Sequence, residues 1–176
     1  YKDEQRNSFS LRLDTLVYEP TGKVKFPSLD ESNKADNLAG KINAFIKADD
    51  KGAQLVKRSL AGLFAYVSNR VPEISDVLYA VDDALRAGFA WDIGPFQYWD
   101  IVGIQKGIDL AKADGLTIGS WVMDMLAAGN TSFYKVENGV KKYYDLQSKS
   151  YKTIPGAESF IILDNLRSNK PVWKNS

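Results

Sequence analysis

The stretch Val81-Asp82-Asp83-Ala84-Leu85-Arg86-Ala87-Gly88, followed by Trp91-Asp92-Ile93-Gly94-Pro95-Phe96-Gln97-Tyr98-Trp99-Asp100, decides how the chain folds. Val77, Leu78, Val81, Ala84 and Leu85 recur at the three-and-four spacing of one helix face, which predicts a helix with these side chains turned inward. Ser75 or Asp76 is its candidate N-cap. Gly88 is its expected stop, because glycine readily takes the left-handed conformation in which helices commonly end. Gly94-Pro95 opens the next helix, since proline's fixed φ suits the first helical position. Phe96, Trp99, Val102 and Ile108 carry that helix, read as one piece, to about Ala113.

Upstream, Val56, Leu60, Leu63, Phe64 and Val67 make the strongest apolar stripe of the chain, predicting a helix from an Asp50 N-cap to near Pro72. Leu38, Ile42, Phe45 and Ile46 predict a shorter helix before it, broken at Asp49-Asp50-Lys51-Gly52. Downstream, a short helix covers Trp121 to Ala128. Five or six helices result. At the two ends the period falls to two. Residues 8–27 read as extended, with a turn at Pro20-Thr21-Gly22. Phe133 to Val136 and Val140 to Leu146 flank Asn138-Gly139, the pair that a tight hairpin turn with two positive φ angles prefers. The two ends also echo each other. Tyr1-Lys2-Asp3-Glu4 matches Tyr134-Lys135-Val136-Glu137, and Leu13-Asp14 then Tyr18 follow in one, Asp145-Leu146 then Tyr151 in the other.

Composition narrows the function classes. The 176 residues suffice for one domain with a real core, and 44% hydrophobic with 12% aromatic residues is a globular balance. Lys and Arg number 23 against 22 Asp and Glu, interleaved along the chain, so no basic stripe calls for a nucleic acid. There is no cysteine, which excludes disulfides and thiolate chemistry. There is also no histidine, the usual general base and commonest metal ligand, so neither a hydrolase triad nor a zinc site is expected. No run of residues approaches a membrane span and the start has no signal-peptide pattern. The first residue is not Met, which leads to the expectation of a domain excised from something longer.

Motifs for phosphate chemistry are missing: no GxGxxG and no Walker A loop occurs. Gly103 and Gly107 have the spacing of close helix packing. Asp82 and Asp83 are neighbours in sequence but diverge on a helix, and at least one is expected on the solvated surface. Asn130-Thr131-Ser132 reads as a turn before the hairpin rather than as a glycosylation site. Phe96, Tyr98, Trp99 and Trp91 suit either a core around a helix start or the wall of an apolar cleft.

The spacing of Asp82, Gly88, Gly94-Pro95-Phe96, Asp100 and Gly103 resembles the C-terminal domain of the 3-hydroxyacyl-CoA dehydrogenases, as does Met125-Leu126-Ala127-Ala128-Gly129 before Ser132-Phe133-Tyr134. The resemblance covers about residues 50–150. It implies a mainly α fold, a helical bundle like the C-terminal domain of 6-phosphogluconate dehydrogenase with short β-hairpins at its ends. In the family a catalytic Asn-Arg precedes the aspartates; counting back from Asp82 by the family's spacing lands on Lys57-Arg58, so Lys57 stands where the asparagine is lost. Asn69-Arg70 lies too late in the same helix. The family's catalytic His and Glu belong to a separate nucleotide domain.

These departures resemble the second, degenerate helical repeat of fused fatty-acid β-oxidation enzymes. The resemblance then implies that residues 1–27 are the extended tail of a preceding repeat, 28–153 the helical domain, and 154–176 a linker towards a following domain. It implies a parent that oxidises 3-hydroxyacyl-CoA with NAD in the cytoplasm. Its partners would be an upstream NAD-binding domain and first helical repeat, and a downstream enoyl-CoA hydratase domain in one bacterial type. No catalytic, cofactor or metal ligand is expected within this chain. Asp82, Gly88, Trp91, Gly94, Pro95, Phe96, Trp99 and Asp100 would be structural or form a cleft wall. The alternative is a stand-alone helical module that takes an acyl chain or partner helix in an aromatic cleft.

Overall fold

A computed structural model describes residues 1–22 and 25–157. In chain order it comprises β1 (Phe9–Leu11), β2 (Tyr18–Pro20), α1 (Pro27–Lys34), α2 (Leu38–Lys47), α3 (Lys51–Ile74) and α4 (Leu78–Phe89). Then follow α5 (Pro95–Val102), α6 (Ile104–Ala113), α7 (Ser120–Ala127), β3 (Tyr134–Glu137), β4 (Val140–Asp145) and β5 (Ser150–Thr153). The fold is mainly α. β1 and β2 pair antiparallel, and β3-β4-β5 form an antiparallel meander. No helix among the described residues is long and apolar enough to cross a membrane.

Asp50 organises the first three helices. Its carboxylate caps α3 by accepting the Ala53 N–H at 2.9 Å, and it also accepts the Ser28 N–H and hydroxyl at 2.8 Å each, near the start of α1. Asn37 caps α2 through the Gly40 N–H. The 24-residue α3 then runs through the body, packed against α2, α4, α5 and α6.

Several boundaries differ from those the sequence predicts, each for a local reason. The helix expected to end near Pro72 continues to Ile74. A proline there leaves the carbonyl of Ser68 without its helical donor. The Trp121 indole N–H supplies one at 2.7 Å, so α3 tolerates the proline through a tertiary bond. α4 has neither Ser75 nor Asp76 at its cap; Val77 holds that position, and the Ser75 hydroxyl contacts its backbone N–H at 3.3 Å. Gly88 does not stop α4. The helix runs one residue further and Ala90 takes the left-handed turn at φ 53°. The single helix expected from Pro95 to Ala113 is two, because Gly103 adopts φ 89° between α5 and α6. α1 and β5 bring the totals among the described residues to seven helices and a three-stranded C-terminal sheet. The segment expected to link onward falls, beyond Ala157, outside the described residues.

The core is aromatic. Trp99 stacks on Phe64 with centroids 4.7 Å apart and planes 7° apart. Phe133 sits against Phe96, Trp99 and Trp121 at 5.0, 5.1 and 5.8 Å. The Trp99 N–H donates to the Ile104 carbonyl at 3.0 Å, so the indole is fixed across the α5–α6 break. Gly107 makes room for it: a Cβ there would lie 2.1 Å from Trp99 Nε1.

Gly107→Ala is therefore expected to cost about 1–3 kcal/mol by overpacking. Gly62→Ala in α3, where an added methyl meets nothing within 4 Å, should instead stabilise by about 0.5–1 kcal/mol. Urea unfolding of both variants checks the pair, and an unaffected Gly107→Ala would contradict the packing described.

Candidate functional site

Asp82 on α4 and Asp100 on α5 both bind Tyr134 at the start of β3, one through its hydroxyl and the other through its backbone N–H. Asp82, 2% exposed, accepts the Phe96 N–H at 2.9 Å with one oxygen and the Tyr134 hydroxyl at 2.7 Å with the other. Asp100 accepts the Phe133 and Tyr134 backbone N–H groups at 2.7 and 2.9 Å, one per oxygen. Asp83 points outward and pairs with Arg86 at 3.3 Å. Gly94 lies directly on Asp82, since a Cβ would fall 2.2 Å from the aspartate's own Cβ. Its N–H is taken by the Gln97 side-chain oxygen at 3.0 Å, and Pro95 occupies the first turn of α5. The stretch thus folds so that α5 begins on top of Asp82.

Burial pushes Asp82 up to about 6, against the opposing effect of the Phe96 N–H and Tyr134 hydroxyl bonds. Burial likewise raises Asp100 to about 7, with Asp82's charge adding to the rise and the two backbone bonds opposing it. Burial and the neighbouring carboxylates raise the Tyr134 phenol. Lys141 lies over the Tyr134 ring at 4.4 Å, and burial lowers its pKa while Asp82 and Asp100 resist that. Asp82 and Tyr134 themselves line a cavity of about 570 Å³, together with Asp83, Arg86, Gln97, Lys141 and the turn at 154–157.

Every oxygen of Asp82 and Asp100 is already engaged within the chain. These bonds fasten α4 to the start of α5, and both to β3. Phe96 and Trp99 are fully buried in the core. Trp91 sits apart from them, edge-on to Tyr98 at 5.9 Å and beside a second cavity of about 460 Å³. That cavity is an apolar trough between α3 and α4, lined by Tyr66, Ile74, Val81, Ala84, Leu85 and Phe89. Periodicity turns Val81, Ala84 and Leu85 inward; the structure leaves Ala84 exposed and the other two half-buried at this open trough. Gly88 touches neither site, with open space around it.

Lys57 acts locally. Its ammonium donates to the carbonyl of Ala48, the C-cap of α2, and lies 3.9 Å from Asp49. A cation at a helix C-terminus is favoured by the exposed carbonyls there. Asn69 bridges Ala65 and Thr117 carbonyls at 2.8 Å, and Arg70 pairs with Glu73. Among the described residues no group of three or more carboxylates could hold a metal ion. Tyr134 and Lys141 are the members of the cluster that sequence reasoning misses. The Phe133-Tyr134 pair at the mouth of the hairpin is the available signal, since a tyrosine entering a core needs a partner for its hydroxyl.

The chain aligns over its whole length, at 32% identity, with a Bacillus subtilis protein described as "Probable 3-hydroxyacyl-CoA dehydrogenase". It spans 22% of that protein. About half of the chain, 49%, is 28% identical to 11% of a Rickettsia felis protein, "Putative fatty acid oxidation complex trifunctional enzyme". A Rickettsia prowazekii protein of the same description is 24% identical over 57% of the chain and 12% of its own length. No family model and no solved structure matches. The chain is thus similar, from end to end, to one segment of a longer protein that carries that description.

The raised pKa of Asp82 makes stability depend on pH. A carboxyl that is neutral more readily in the folded than in the unfolded chain contributes stability below its ordinary value of 3.8, and that contribution is lost as pH rises through about 6. Unfolding stability is expected to fall between about pH 4 and 7, and Asp82→Asn should flatten that fall. Tyr134→Phe, which strips a donor from a buried carboxylate, should cost about 1–3 kcal/mol at pH 7. Denaturant unfolding across pH reads both effects; a pH slope unchanged in Asp82→Asn would remove Asp82 as its source.

Proposed function

We propose that this chain is a non-catalytic helical unit of an NAD-dependent 3-hydroxyacyl-CoA dehydrogenase of fatty-acid β-oxidation. It serves as a second, degenerate repeat that takes the place of a dimer partner. The observation that carries this reading is the engagement of the motif: both oxygens of Asp82 and of Asp100 are held by the chain's own donors, and Lys57 caps a helix where the family's catalytic asparagine is expected. The end-to-end relation to a named dehydrogenase, over a fifth of its length, supports the parent activity. NAD would bind an upstream nucleotide domain, and the acyl-CoA would be handled there and by a first helical repeat. An enoyl-CoA hydratase domain would be the downstream partner, in the cytoplasm. Within this chain the helical domain would be residues 28–153, in the arrangement of the 6-phosphogluconate dehydrogenase C-terminal bundle.

One observation favours a second reading, a helical module that binds an acyl chain or a partner helix on its own. The trough between α3 and α4 is open and apolar, with Phe89 70% exposed at its rim. Calorimetric titration separates the two. The chain should show no heat of binding with NADH and little or none with acetoacetyl-CoA. Saturable binding of the CoA ester alone would favour the module, and NADH binding would defeat the proposal.

A further inference from the structure

Lys141 is set apart from the other cations of the C-terminal hairpin by the face on which its strand places it. β3 and β4 pair Val136 with Lys141 and Tyr134 with Tyr143, so these side chains share one face of the sheet. Lys135 and Lys142, paired with each other, lie on the opposite one. The face of Lys141 is the one that meets α4, through Tyr143 on Tyr79 and Tyr134 on Asp82. There the ammonium lies 4.4 Å from the centre of the Tyr134 ring and lines the cavity of about 570 Å³. Among the described residues no hydrogen bond or ion pair holds it, whereas Lys34, Lys57, Lys142 and Lys152 each face a carboxylate.

An ordinary lysine is protonated almost completely at neutral pH and has no lone pair to offer. Lys141 is placed differently. Burial disfavours its charged form and Arg86 acts in the same direction, while the carboxylates of Asp82, Asp100 and Asp83 oppose them. That opposition is weakened near neutral pH. Asp82 and Asp100 are themselves raised to about 6 and about 7, and Asp83 is paired with Arg86. A partly desolvated amine that opens on a cavity is the arrangement in which a lysine acts as a nucleophile.

We propose that Lys141 is a modification site that takes an acyl group from an acyl thioester. The donor class rests on the reading of the parent as an enzyme of acyl-CoA; the placement of the amine does not. The lone pair of the neutral amine attacks the thioester carbonyl carbon. The C–N bond forms, the C–S bond breaks, and the proton lost from nitrogen ends on the departing thiol. No oxidant or reductant is needed. Tyr79, Ile154 and Pro155 give the cavity apolar wall for the acyl group. The product is a neutral amide in place of an ammonium whose charge favours the ionised forms of Asp82 and Asp100. The modification is thus made beside the bonds that fasten α4, α5 and β3.

The test is acetylation of Tyr1–Ser176 at about pH 8 with acetic anhydride and, in parallel, with acetyl-CoA, the rate at each lysine being read by mass spectrometry. Lys135 and Lys142 are the internal standards, since they share the hairpin and are half-buried like Lys141. Lys141 should react about threefold or more faster than either with both reagents, and the excess should vanish in the urea-unfolded chain. An anhydride rate no higher than that of the standards, or an excess that survives unfolding, would overturn the reactive site. An excess with the anhydride and none with acetyl-CoA would overturn the thioester donor. Neither failure touches the parent assignment, which the NADH titration tests separately.

Discussion

Two carboxylates placed under backbone N–H groups set the geometry of the body. An aspartate cannot be buried without donors, and Asp82 and Asp100 find theirs on the main chain of α5 and β3 and on the hydroxyl of Tyr134. Much follows from that requirement. α5 must begin over Asp82, which leaves no space for a side chain at position 94. Proline follows because the first helical turn needs no donor there. Asp100 must then face the strand that starts at Phe133, which draws Phe133 between Phe96, Trp99 and Trp121. The aromatic core is placed by the polar network as much as by its own hydrophobicity.

The same logic closes the far side of the bundle. Pro72 leaves a carbonyl open in α3, and Trp121 answers it while lying against Phe96 at 6.0 Å. The Ser68 hydroxyl accepts the Gly119 N–H at 3.0 Å, so the start of α7 is tied to α3 at two adjacent points. A helix-breaking residue thus becomes the anchor of a helix far along the chain.

Periodicity makes the long elements legible. The stripes of α2 and α3, the Asp50 cap and the Asn138-Gly139 turn, with φ 52° and 79°, are local facts that a sequence states directly. What it does not state are outcomes decided by distant groups. Continuation of α3 past Pro72 depends on Trp121, and a break at Gly103 depends on where Trp99 and Gly107 must meet. The site is half legible for the same reason. Spacing marks Asp82, Gly94 and Asp100 as a set, but their acceptor roles need β3, which enters from beyond position 130. The apolar face of α4 reads as core because periodicity shows that a face is apolar without showing what covers it.

Uncovered apolar surface indicates what kind of unit this is. Among the described residues such groups are bare along the trough, at Tyr66, Ile74 and Phe89, and on the N-terminal sheet, at Tyr1, Leu16 and Tyr18, as well as singly at Leu55 and Val136. Solvated separately, such surface is costly at roughly 25 cal/mol for each Å² that could be buried. The chain's polar motif is the opposite case, with each carboxylate oxygen of Asp82 and Asp100 accepting a hydrogen bond within the chain. Bare apolar side chains gathered in this way suit a surface that is packed against.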